Sequence, residues 1–108
     1  MTDFMKMLQQ AQQVTGKLQE VQEELAKMTV MGASGGGMVR VEADGKGTVK
    51  RVSIDPSVAN PGDVEMLEDL VTVAIQEAQK KARELAEQEM KKAAGGMGLG
   101  GLPFKLPF

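Results

Sequence analysis

Apolar or small side chains at Phe4, Met7, Ala11, Val14, Leu18, Val21, Leu25 and Met28 follow one another at intervals that alternate between three and four residues. No other feature of the chain narrows its possible folds as far. Such spacing keeps a stripe on one side of a helix, and Gln, Glu and Lys fill most of the intervening positions. Residues from about Thr2 to Met28 therefore form a long helix with one narrow adhesive seam, and a narrow seam requires another helix beside it. Gly16 interrupts it, at a cost of about 1 kcal/mol relative to Ala, and marks a bend or a close helix crossing.

From Thr29 the period changes. After Gly32 and the run Gly35-Gly36-Gly37, the stretch Met38 to Ala43 alternates, with Val39, Val41 and Ala43 on one face, as a half-covered strand does. Asp44-Gly45-Lys46-Gly47 supplies a hairpin, because Asp-Gly adopts the positive φ angles of tight turns. A second strand over Thr48 to Ile54 turns Val52 and Ile54 to the core face and ends at Asp55-Pro56. Thr29 to Ala33 is a candidate for a third short strand, which makes the middle, about residues 29–55, a small antiparallel sheet with one face covered.

Asn60-Pro61-Gly62-Asp63 has the makings of a helix start: Asn caps, Pro fits the first helical position, and Asp63 and Glu65 oppose the N-terminal dipole. The helix it opens runs to about Ala94, with Leu67, Leu70, Val71, Ala74, Ile75, Ala78, Ala82, Leu85 and Ala86 making a stripe that narrows and becomes Ala-rich. At ~1.5 Å per residue it reaches roughly 48 Å, longer than a globule of this size is wide, so part of it projects as an arm. The expected class is α+β, in the order α-β-β-β-α, with two long helices flanking the sheet. Residues 1–94 form the single domain, and residues 95–108 a Gly-rich tail containing Pro and Phe.

With 108 residues the chain buries little core by itself, and association as a homodimer with projecting arms is expected. The apolar sheet residues Val39, Val41, Val52 and Ile54 and the broad start of the second helix, Leu67, Leu70 and Val71, are the expected interface. Cysteine and histidine are absent, which removes disulfides, thiolate and imidazole metal sites and the common nucleophilic triads. Neither glycine run has the spacing of a phosphate-binding loop, since the place five residues before Gly45-Lys46 holds Arg40 and Gly47 stands where Ser or Thr belongs. Both runs are assigned to turns or strand edges. The acidic groups Glu20, Glu23, Glu24 and Glu65, Glu68, Asp69 are assigned to solvated helix faces. No catalytic residue, metal or cofactor is expected, and no apolar run approaches the ~20 residues of a membrane span. The expected location is the cytoplasm.

Net charge is −2, so a polyanionic partner has to meet local basic patches. The second helix concentrates Lys80, Lys81, Arg83, Lys91 and Lys92 in its distal half, and the sheet adds Arg40, Lys46, Lys50 and Arg51. Taken alone these pass as ordinary surface charge: Glu77 with Lys81 and Glu87 with Lys91 are favourable i,i+4 pairs, and bases at the end of a helix suit its dipole.

Five segments in order give the charges another meaning. They are the long first helix, Gly35 to Val41 (Gly-Gly-Gly-Met-Val-Arg-Val), Ile54-Asp55-Pro56-Ser57, Met66 to Val71 (Met-Leu-Glu-Asp-Leu-Val), and the closing Pro103 to Phe108 (Pro-Phe-Lys-Leu-Pro-Phe). Over essentially its whole length the chain resembles the YbaB/EbfC family of bacterial nucleoid-associated proteins. The resemblance implies a tight homodimer with tweezer-like helical arms, binding to duplex DNA, a role in nucleoid organisation or gene regulation, and no enzymatic activity. Two chains would then set the basic residues of paired arms astride the phosphates of one duplex. Base reading has little support, since no helix-turn-helix or zinc-finger pattern is present. The alternative is a protein-interaction module that docks on a replication or recombination partner through its arm or its Leu-Pro-Phe tail. An acidic metal or phosphate enzyme lacks its ligands, and a membrane-surface protein lacks the basic amphipathic face it would need.

Overall fold

The computed structural model describes residues 2–96; the tail expected over residues 95–108 lies almost wholly outside the described residues. Helix α1 (Thr2–Lys27) leads into strands β1 (Thr29–Ser34), β2 (Val39–Asp44) and β3 (Val49–Ile54), and helix α2 (Val64–Gly96) follows. The strands form one antiparallel sheet in the order β1-β2-β3. The expected α-β-β-β-α architecture is the one observed, and the third strand is β1.

Local chemistry explains each joint. Gly35, Gly36 and Gly37 all take positive φ, from +61° to +93°, and reverse the chain between β1 and β2. Between β2 and β3 the Asp44 carboxylate, almost fully buried, accepts from the Lys46 and Thr48 amides at 2.9 and 3.0 Å and organises the turn itself. The left-handed residue there is Gly47, at φ +90°, and not Gly45 as the Asp-Gly pair predicts. Gly45 is small for another reason. Its amide donates to the Leu25 carbonyl of α1 at 2.8 Å, and a Cβ would press on that carbonyl and on the Leu25 side chain. Before α2, Asn60 caps a short 3-10 turn through the Gly62 amide, and Asp63 then accepts from the Met66 amide at 3.1 Å. The second helix therefore starts at Val64, three residues beyond the expected start.

Helix α2 lies mainly across β1 and β2. Val39, Val41 and Ala43 have no exposed surface and pack under Ala74 and Ala78, with Val58 closing one side. The close approach depends on Gly32 in β1, whose position leaves no room for a Cβ against the Ala74 carbonyl and the Ala78 amide. Register sets Val41 opposite Val52 and Val39 opposite Ile54, so the β3 pair shares the core face, as expected. It is nevertheless 40% exposed at each residue, because β3 is an edge strand of which only Val49 packs against the core beneath α2. The opposite face, carrying Met31, Arg40, Glu42, Arg51 and Ser53, has no helix on it. A bulge between Glu42 and Ala43 carries Lys50 out of the pairing.

The distal half of α2 leaves the sheet and packs on α1. Val21, Leu25, Ala86, Met90 and Ala93 form this second core. Leu25 meets Ala82 and Ala86 while Val21 meets Ala93, so the two helices run antiparallel. The arm is thus a two-helix structure, and the molecule measures 71 × 22 × 18 Å. Along the seam, Leu18 to Met28 is occupied; from Asp3 to Gln13 every residue of α1 is exposed. Gly16 marks no crossing, since a Cβ there would have nothing within 4 Å.

Candidate nucleic-acid interface

All nine basic residues singled out from the sequence are exposed, but they do not form one patch. At 3.6 residues per turn, Lys80 and Lys91 fall on one line of α2, three turns apart, and Lys81 and Lys92 on the neighbouring line. Arg83 occupies the other flank, towards α1. Lys81 is held inward: it pairs with Glu77 at 3.2 Å and donates to the Met31 carbonyl at 2.9 Å. Lys92 pairs with Glu89 at 3.3 Å. The expected Glu77–Lys81 pair is present, whereas Lys91 makes no ion pair with Glu87 among the described residues. Lys80, Arg83 and Lys91 make none either, and these three are the α2 cations open to an outside anion.

The sheet distributes its cations differently. Arg40 and Arg51 lie on the face opposite α2, where Arg40 pairs in register with Ser53 and Glu42 with Arg51. The Arg40 Nε donates to the Gly37 carbonyl at 3.1 Å, which draws that guanidinium towards the glycine turn. Lys50, at the bulge, points its Nζ at the Ala26 carbonyl near the end of α1, 3.5 Å away. Lys46 stands on the β2–β3 turn. Folding brings it beside Arg83, with Gln22 and Leu25, around a recess of about 150 Å³ where both helices meet the turn. That juxtaposition joins residues far apart in the chain and carries no sequence pattern.

The apolar candidates separate in the same way. Val39 and Val41 are consumed in the core beneath α2, which corrects the expectation that they face a partner chain. Val52 and Ile54 stay half-open on the edge strand, and Leu67, Leu70 and Val71 are half-buried. Missed in the sequence were Met66 and Val73, which with Leu70 line a recess of about 350 Å³ on the outer side of α2. Its rim carries Asp63, Glu65 and Asp69, which repel a polyanion. A Met and a Val between carboxylates at helix-surface spacing give no signal of exposure.

Among the described residues no group of acidic side chains is placed to hold a metal ion. The Asp55 equilibrium is shifted. Its carboxylate accepts from the Ser57 amide at 2.9 Å, and this bond, with the nearby Ser57 hydroxyl, holds its pKa below the usual value. No described helix is long and apolar enough to cross a membrane.

Fold and surface define an α-β-β-β-α protein with a two-helix arm and separate exposed cations on arm and sheet. A profile of the YbaB/EbfC DNA-binding family matches residues 1–97. A nucleoid-associated protein of Gemmatimonas aurantiaca is 49% identical over 106 residues, which cover 98% of this chain and 99% of that one. A nucleoid-associated protein of Gluconacetobacter diazotrophicus is 44% identical over 96% of this chain and 98% of its own length. An uncharacterized Helicobacter pylori protein of known crystal structure has the same fold, with a TM-score of 0.61 and 24% identity over 81% of this chain and 96% of that one. The chain belongs to the YbaB/EbfC DNA-binding family, whose members are nucleoid-associated proteins and not enzymes.

Proposed function

We propose that the protein binds duplex DNA as a homodimer, chiefly through phosphate contacts, and serves nucleoid organisation or gene regulation. The observation that carries this reading is the set of exposed α2 cations, Lys80, Arg83 and Lys91, that no described acid neutralises, in a member of a DNA-binding family. Lys46 beside Arg83, and Arg40 with Arg51 on the bare sheet face, extend the cationic surface; Lys50, Lys81 and Lys92 are secondary because their amines are already engaged. Acids interleave with these bases, so a single arm binds weakly. Pairing two arms raises the effective concentration of the second contact. Val52, Ile54, Leu67, Leu70 and Val71 supply the partner surface.

The test is a duplex titration at several salt concentrations. Affinity is expected to fall steeply with salt, and Lys80→Ala with Lys91→Ala to flatten the log–log slope by about 2 per contacting chain, uniformly across DNA sequences. Absence of binding even at low salt would sink the reading.

A further inference from the structure

The exposed end of α1 is the least explained surface of the molecule. Phe4 and Met7 are 66% and 67% exposed, and Met5 and Leu8 stand open beside them. This stripe continues the seam whose other half, Leu18, Val21 and Leu25, is packed against α2, so its geometry is that of a helix-packing surface that no described element covers. Between Phe4 and Val14 the flanks are Gln9, Gln10, Gln12 and Gln13, and the charge of Lys6 is offset by Asp3. A second copy therefore approaches without like-charge repulsion. An anionic lipid surface or a phosphate backbone calls for a cationic face, which one lysine does not provide.

We propose that the α1 tip is a second self-association surface, on which the tip of one homodimer packs against the tip of another. The inference rests on the homodimer reading above. Position gives it its consequence. Ile54 lies opposite Val39 at the end of β2 remote from α1, whereas the Asp44–Gly45 end of β2 is the one bonded to Leu25. The open sheet pair and the α1 tip thus occupy opposite ends of a 71 Å molecule. Two self-complementary patches so placed link chains into an open array, since neither contact closes the other. The tip stripe is short, well below the ~800 Å² per partner of a standard interface, so the contact is weak in free solution and strengthens where dimers sit close together on one DNA. The array would join neighbouring bound dimers or bridge two duplexes.

Sedimentation equilibrium of the full chain tests this, comparing the natural sequence with a Phe4→Gln, Met7→Gln, Leu8→Gln variant whose helix content is checked by circular dichroism. The expected result is dimer at low concentration and multiples of the dimer as concentration rises, with the variant remaining dimeric throughout. Growth that is unchanged in the variant overturns the proposal, as does a natural chain that stays dimeric on and off DNA, which would mean the tip is covered from within the dimer. A variant that becomes monomeric overturns it too, by making the tip the primary interface. A natural chain that is monomeric when dilute and pairs only through the tip would refute the homodimer reading while leaving tip self-association standing.

Discussion

At Gly32 the backbone of β1 rests directly on the backbone of α2, and a methyl group there meets the Ala74 carbonyl and the Ala78 amide, neither of which can rotate away. Gly32→Ala is expected to lift the helix off the sheet and to destabilise the fold by about 3 kcal/mol, at the upper end for overpacking, read as a lower urea midpoint at unchanged slope. Asp55 makes a prediction of a different kind. Its pKa is depressed in the folded chain by Ser57. The stability it contributes is therefore present above the ordinary carboxylate range and is lost as pH falls through the lowered folded value. Asp55→Asn should flatten this part of the acid limb in stability measured against pH; superimposable acid limbs would refute it. Both residues sit in plain sight in the sequence. The Asp before Pro was read as a strand stop, and its partner Ser57 is local, whereas Gly32 gave no sign of a close approach because Ala74 and Ala78 are remote in the chain.

Helices and strands were legible because their periods are local properties: the three-four seam of α1, the alternation of Val39, Val41 and Ala43, and the Asn60-Pro61 start. Which surface each element leaves open was not, since it depends on where α2 lies. Val52 and Ile54 have the alternation of a covered strand and face the core side, yet the core beneath α2 takes in only Val49 of β3. The seam of α1 looks uniform from Phe4 to Met28, yet α2 accompanies only its C-terminal half. The cations were legible as residues; their division into engaged and open ones depends on single contacts such as Lys81 with the Met31 carbonyl. Gly16 offers a test at this scale. With nothing within 4 Å of its missing Cβ, Gly16→Ala should stabilise α1 by about 1 kcal/mol and raise the thermal midpoint by roughly 4–8 °C. A lowered midpoint would mean that another helix crosses there in the assembled protein.

For the whole molecule, the unfinished sheet edge and the slender arm are the features on which the homodimer proposed above can be tested. If the proposed homodimer forms through the open sheet pair, Val52→Asp with Ile54→Asp, which puts charge on that pair, is expected to convert the dimer to monomer in sedimentation equilibrium while the two internal cores stay intact. An unchanged mass would move the interface elsewhere. Loss of the dimer should also weaken DNA binding, because each arm then acts alone. The extended build has a practical side. A compact chain of this length has a radius of gyration near 12 to 13 Å, against 19.4 Å here. Such a rod tumbles faster about its long axis than end over end and drags more solvent than a sphere of equal mass. It should leave a gel-filtration column early, at the volume of a heavier globular protein, so a single subunit can pass for a pair, and only a method that weighs molecules irrespective of shape will count them correctly.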